Sequence, residues 1–322
     1  MNLDDDALKW CDRDRLKMPS DERREHREQA ERLIKKLRDK LAEGNDYKVK
    51  KIVPAGSLEK GTILQPAGGN APDADIVLYL RGTLDEFDLP TMQEDVIKLL
   101  MAAYPQMKRE QIEKQPRTLG VVFRESGLEV DLVPVIAHPD LDDYGFQPVP
   151  NGDSGDAMLT SAPGQLSFVT TRRKRDPLYR TVVRFVKKWR NERELPYLSS
   201  FAIELLVAHV QDLEGPVPSV FGGLRRFFNF IADDRLRSPI TFAENGTVEK
   251  LPDGSAVLVD PVNADNNVFA RLDASQRDEL VKEADDAWST LWEAHTSIDE
   301  GETVDLWRAI VGRGFRLEQT AA

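Results

Sequence analysis

A chain of 322 residues, 40% hydrophobic and 31% charged, has room for one large core or two ordinary ones and shows no signature of disorder. Its formal charge of −12, from 44 basic and 56 acidic residues, argues against a broad nucleic-acid-binding surface, because phosphate contacts dominate that affinity. The lone Cys11 excludes an internal disulfide and a cysteine-built zinc site, and the four histidines (His26, His138, His209, His295) show no ligand spacing.

No apolar run approaches the roughly 20 residues that a bilayer-crossing helix needs. The opening MNLDDDALKW is acidic where a secretory signal would be basic. The expectation is a cytoplasmic protein that makes no membrane contact.

In chain order, residues 20–43 predict a long amphipathic helix. Ser20 caps it, Asp21 and Glu22 suit its first turn, and Gly44 ends it. Ala30, Leu33, Ile34, Leu37 and Leu41 share one face, so the helix reads as a brace, with Arg23, Arg24, Arg27, Lys35 and Lys36 on a solvated side. Lys48–Val53 reads as a strand, followed by the turn Ala55–Gly56–Ser57 and a loop over 63–72.

Asp75–Leu80 reads as a second strand, opened by Asp73 and Asp75, whose side chains point the same way because strand side chains alternate. A helix follows near 91–103. Thr118–Arg124 and Leu128–Ile136 then form a hairpin through Glu125–Ser126–Gly127. In its second arm Asp131 stands in a strongly apolar run, where an ionised acid wants a cation. Residues 137–171 read as a surface connection, and helices are expected at 177–192, 199–212, 219–232, 274–293 and 303–312, with a short strand at 257–259.

Three acids on neighbouring strands, preceded by a Gly-Ser turn, suit two-metal phosphoryl transfer. Carboxylate oxygens fit Mg²⁺, and turn N–H groups with the Ser57 hydroxyl can hold phosphate. On the helix 177–192, Arg180, Arg184 and Lys187 form a basic stripe, which either faces water or aims Lys187 at a triphosphate. Ser199–Ser200–Phe201 opens the next helix, where a hydroxyl and free N–H groups favour phosphate and Phe201 could stack on a base.

GSLEKGT followed by DADIVLYL, then LEVDLVPV, RFVKKW, SSFAIELL and VDPVNADNNV, resembles the cGAS/DncV-like nucleotidyltransferases of bacterial antiphage (CBASS) systems, over residues 20–315. The resemblance implies an α+β fold: a polymerase-beta-like core of mixed sheet with flanking helices over 1–165, including the brace helix, and a helical domain over 166–322. The active site would lie in the cleft between them. It implies that Asp73, Asp75 and Asp131 bind two Mg²⁺ ions, for which Mn²⁺ can substitute. Gly56 and Ser57 would hold the donor triphosphate, Lys187 and Ser200 would contact it, and Phe201 would stack the base. Lys188 or Ser199 stay open as alternatives at two of these positions, and Phe201 stands where the family commonly has Tyr.

The run SGLEVDLVPV and the ending DPVNADNNVFARL, one residue longer than the usual form, are most similar to the lineage paired with HORMA-domain proteins and an AAA+ ATPase. That lineage implies a cyclic trinucleotide, best read as cyclic tri-AMP, made from ATP or mixed NTPs with pyrophosphate release. It also implies a HORMA-domain partner and leaves DNA open as an activator. A template-independent RNA or tRNA nucleotidyltransferase and a catalytically silent protein of the same fold are the competing readings. The charge of −12 speaks against the first, and the presence of all three acids against the second.

Overall fold

A computed structural model describes residues 5–44, 47–66, 73–86, 88–123, 127–148 and 157–317. The chain is α+β and divides into two compact units, one of residues 20–167 and the other of residues 1–19 with 168–322. The expected division near 165 lies close to that before Phe168, but residues 1–19, expected with the sheet, group with the helical remainder. Helix α1 (Asp5–Cys11) belongs to that second unit.

In residues 20–167, helix α2 (Ser20–Glu43) spans the range its periodicity predicts. Strand β1 (Val49–Ala55) runs through Pro54 to Ala55, and the Gly-Ser turn beyond it is a single helical turn, α3 (Gly56–Lys60). Strand β2 (Asp73–Leu80) is followed by α4 (Leu89–Ala103), whose first turn is capped by Asp88 accepting from the Thr91 N–H at 2.7 Å. Strands β3 (Ile112–Lys114), β4 (Leu119–Phe123) and β5 (Leu128–Ala137) complete the order β1-β2-β5-β4-β3. Only β2 and β5 pair in parallel within that order; the other neighbours are antiparallel. The expected hairpin is β4–β5, although its loop residues 124–126 lie outside the described residues, as do 67–72 of the expected loop after α3.

One sheet face carries Ile76, Leu78 and Leu80 with Val130 and Leu132, all fully buried, and α2 and α4 pack on this side with Leu33, Leu37, Val96, Leu99 and Leu100. The other face is acidic at the start of β2 and apolar further along. There Val77, Tyr79 and Val135 pack with Ala162, flanked by Val53, Ala55 and Val133.

Residues 137–171 are more ordered than a surface connection. Strand β6 (Gly145–Pro148) pairs with the end of β5, and β7 (Ala157–Thr160) pairs with β6. Helix α5 (Ala162–Arg175) then begins, and the run Arg172–Arg175 forms its last turn, where basic residues oppose the helix dipole. Tyr79 secures the segment, its hydroxyl lying 3.2 Å from the Asp143 carbonyl and 3.4 Å from the Ala162 N–H. Short strands rich in Gly and Pro lack the alternation that would reveal them in the sequence.

The second unit is largely helical: α6 (Tyr179–Glu192), α7 (Ser200–Glu214), α8 (Val220–Asp234), α9 (Ala274–Thr296) and α10 (Glu300–Val311). Asp176 organises the entry to α6, accepting from the Leu178 N–H at 2.8 Å and the Val217 N–H at 3.0 Å. Strands β8 (Val259–Asp260) and β9 (Asn263–Asn267) hold the DPVNADNN motif. Within it Asn267 accepts from the N–H groups of Leu258 and Phe269 and donates to the Ala256 carbonyl at 2.9 Å. The motif thus fixes its own fold. Among the described residues, no helix is long and apolar enough to cross a membrane.

Candidate active site

Parallel pairing of β2 with β5 sets Asp75 directly beside Asp131 and Asp73 beside Glu129, while β4 sets Gly120 across from Asp131. Period-two alternation puts all of these on one face. Asp73 is exposed, and Asp75 and Asp131 are half-buried. Burial raises the Asp131 carboxyl above its ordinary range, and the negative charges of Asp73, Glu129 and Glu113 add to the shift. Every charge acting on this acid in that way is negative.

Gly56 meets the acid pair from the other side. Its φ is +72°, and a Cβ placed on it would lie 1.6 Å from Asp75 Oδ2, so only glycine fits between the turn and the carboxylate. Ser57 follows in α3, where no side chain caps the helix start, and its carbonyl accepts from the Gly61 and Thr62 N–H groups. Behind the turn, Arg27 of α2 donates to the carbonyls of Leu58 at 3.0 Å and Glu59 at 3.3 Å. Arg27 was expected on a solvated face; it braces α3 instead.

Among the described residues no three His, Cys, Asp or Glu side chains converge as a formed metal cage. The donor set still fits a hard divalent cation: it is oxygen-only, and strand register sets Asp75 beside Asp131 and Asp73 beside Glu129. Asp73, Asp75 and Asp131 are the residues placed to hold such an ion.

The other predicted residues lie in the second unit. Lys187 is 3% exposed, and its ammonium pairs with Glu204 of α7 at 3.0 Å. Arg184 is buried as well, its Nε and Nη2 donating to the two oxygens of Asp12 at 2.6 and 2.5 Å. The basic stripe on α6 is therefore no water-facing surface at these two positions. The carboxylate covering Arg184 comes from a π-helical turn, Asp12–Leu16, some 170 residues earlier in the chain. Lys188 pairs with Glu192 at 2.5 Å. Ser199 caps α7 by accepting from the Ala202 N–H at 3.0 Å, and Ser200 and Phe201 follow, both half-buried.

Arg190 was missed by the sequence reading. Its Nη1 donates to the Leu198 carbonyl at 3.1 Å and reaches the Ser200 hydroxyl at 3.3 Å, and burial lowers its pKa. Its place two residues after Lys188, one turn past Lys187, was the available signal. Glu113 and Gly120 were missed too, because only the pairing of β3 with β4 and of β4 with β5 brings them toward Asp131, whereas Glu129 shares a face with Asp131 on the same strand, as expected.

The acids sit on the parallel pair of a mixed sheet, and α2 and α4 pack on its other face. No protein-family model matches the chain. It is 36% identical over 322 residues, all of both chains, to the CBASS oligonucleotide cyclase CdnC of Escherichia coli strain KTE188. It is 31% identical over 310 residues, 94% of this chain and 95% of the relative, to the cyclic AMP-AMP-AMP synthase of Escherichia coli strain MS 115-1. Solved structures of E. coli MS115-1 CdnC agree, with ATP (TM-score 0.86, 30% identity) and in complex with HORMA-deltaN (TM-score 0.85, 29% identity), each covering 98% of this chain and 99% of the other. The chain belongs to the CBASS oligonucleotide cyclases, the cGAS/DncV-like nucleotidyltransferases that its motifs resemble. Members of this family make a cyclic oligonucleotide second messenger from nucleotides in antiviral defence, and this chain is an enzyme of that kind.

Proposed function

We propose that this cyclase joins ATP into cyclic tri-AMP with release of pyrophosphate, in the cytoplasm, under the control of a HORMA-domain partner. The observation that carries the chemistry is the register of Asp75 beside Asp131, with Gly56 fitted against the Asp75 carboxylate. A relative named for cyclic AMP-AMP-AMP synthesis supports the product, and solved CdnC structures with ATP and with HORMA-deltaN support the substrate and the partner.

On this reading Asp73, Asp75 and Asp131 hold two Mg²⁺ ions, with Mn²⁺ able to replace them. Bound there, such ions supply neutralisation of the triphosphate and a lowered pKa for the attacking hydroxyl. Gly56 leaves room for Asp75 to stay aimed into the site, and Ser57 holds a donor phosphate oxygen. Ser200 takes a further phosphate oxygen and Phe201 stacks the donor base. Lys187 is the cation of that subsite, with Glu204 setting its position.

Mass spectrometry of the product formed from an equimolar mixture of the four NTPs tests the reading. A phosphatase-resistant ring of three adenylates is the expected result. A product wholly sensitive to phosphatase, or a ring of another composition, would overturn it.

A further inference from the structure

Three cations on α6 are matched by acids. Arg184 lies against Asp12, Lys187 against Glu204 and Lys188 against Glu192, so each of these pairs carries no net charge. Arg190, half-buried near the end of the same helix, has no carboxylate on it among the described residues. Burial lowers its pKa, and no acid opposes the shift.

What Arg190 meets instead is the turn that leads into α7. Its Nη1 donates to the Leu198 carbonyl at 3.1 Å and to the Ser200 hydroxyl at 3.3 Å, and its own carbonyl accepts from the Leu195 N–H at 3.1 Å. The turn is fixed from other sides as well: Leu195 and Leu198 are buried, and the Tyr197 hydroxyl donates to Glu279 of α9 at 2.8 Å. Glu194 holds φ at +54°, a left-handed backbone that such a residue keeps only where its surroundings impose it.

Ser200 is therefore held with a defined hydroxyl. A guanidinium has donors and no acceptor, so the Ser200 oxygen takes the Arg190 proton and must turn its own proton elsewhere. No group among the described residues accepts that proton. Ser199 beside it is committed differently, its oxygen accepting from the Ala202 N–H at 3.0 Å as the cap of α7. A bond received from a cation also makes the Ser200 hydroxyl a stronger donor, because linked hydrogen bonds polarise one another.

We propose that Arg190 is a positioning residue: it holds Ser200 with its proton turned outward, toward a phosphate oxygen of bound ATP, and supplies there the positive charge that the Lys187–Glu204 pair cancels within itself. The inference rests on the reading above that Ser200 contacts the phosphates. Arg190 acts on the ligand through Ser200, so it governs how tightly the triphosphate is held and not the base.

The test uses the full chain with Mg²⁺ and measures the Kd of α,β-methylene-ATP and of adenosine, with a melting curve for each variant. Arg190→Met and Ser200→Ala should each weaken the ATP analogue by about tenfold, the scale of a hydrogen bond to a charged group, and leave adenosine binding unchanged. Arg190→Met/Ser200→Ala should bind about as weakly as Arg190→Met alone, because both changes remove one contact. Arg190→Lys keeps the charge on a single nitrogen and should recover part of the loss; it reads the same effect should Arg190→Met fail to fold. Steady-state kinetics should show KM for ATP raised more than kcat is lowered. A lower melting temperature with the two ligands weakened alike, or losses that add in the double variant, would overturn the proposal. If Ser200→Ala binds the analogue as the wild type does, the phosphate role of Ser200 fails, and this inference with it. If Ser200→Ala binds weakly while neither Arg190 variant does, this inference alone fails.

Discussion

In residues 20–167 the carboxylates of Asp73, Glu129 and Glu113 all push the Asp131 carboxyl upward. In the second unit three buried cations each meet an acid: Arg184 with Asp12, Lys187 with Glu204, and Arg172 with Asp212 and Glu244. Pairs of that second sort are electrically complete. They tie α6 to the chain's first residues and to α7. Like charges held side by side cost free energy in the empty protein, and a bound cation removes that cost. The difference separates frame from site: satisfied charge marks what holds the molecule together, and unsatisfied charge marks where a ligand belongs.

The most severe break of that contrast is Asp131→Asn. The amide keeps the shape and removes one of the opposed charges, so turnover should fall by about 10³-fold or more, because charge aimed at the reacting groups is a dominant catalytic term. Thermal unfolding without metal should stay at or above the wild-type temperature. Undiminished synthesis by the variant would end the assignment of Asp131 to the reaction. Gly56→Ala comes next. The new methyl would overlap Asp75 Oδ2 and the backbone would keep φ at +72°, so Asp75 must move. Displacement of a reacting group by about 1 Å costs on the order of 10²-fold, and left-handed strain adds about 1–2 kcal/mol of instability. Steady-state kinetics and a melting curve measure the two effects separately.

On the satisfied side, Lys187→Ala should destabilise the fold by about 3–5 kcal/mol, because it strands the Glu204 carboxylate in a buried place. Lys187→Met/Glu204→Leu replaces the pair with apolar groups of similar size and should restore most of that loss. The double variant then sharpens the comparison. If Lys187 also serves the triphosphate, the stable double variant shows a KM for ATP raised about tenfold, the equivalent of ~1.4 kcal/mol. A KM equal to wild type would assign Lys187 to the frame alone.

How much of this the sequence displays depends on the range of the interactions involved. The span of α2, the hairpin β4–β5 and the acids at 73, 75 and 131 are legible because each is a local pattern: a helical stripe, two β-rich runs about a turn, a charge in an apolar strand. The parallel pairing of β2 with β5 joins residues more than fifty apart, so the Asp75–Asp131 register has no local signature. Burial of Arg184 is equally hidden, since the Asp12 carboxylate that makes it tolerable lies far back in the chain. A recess beside Gly120 and Asp131 combines both difficulties, drawing its walls from three strands whose alternation says which way each side chain faces but not who its neighbour is. Strands β6 and β7 were lost for the opposite reason: they are too short to show a period.

The smallest effect concerns pH. A carboxyl whose folded pKa lies above its ordinary value near 3.8 binds its proton in the folded protein before it does so in the unfolded chain. Stability then changes with pH in proportion to the protons bound by the unfolded state minus those bound by the folded one. That difference is negative for Asp131, so its contribution makes the metal-free protein more stable as pH falls through the raised pKa toward 3.8. Glu94, held low mainly by Lys114 with help from Arg109, and Glu244, held low by Arg172 against its own desolvation, act in the reverse sense and lose their contribution as pH falls below the ordinary range. The melting temperature of the wild type minus that of Asp131→Asn isolates the first effect from the second, because both proteins share Glu94 and Glu244. That difference should grow more negative as pH rises above about 4 and level off once Asp131 is fully ionised. Added Mg²⁺ should shrink it in the wild type, since a cation between the acids favours the ionised form. A difference that is flat across the range, with or without Mg²⁺, would show that the opposed carboxylates exert no strain on one another and would remove the contrast with the paired cations of the helical unit.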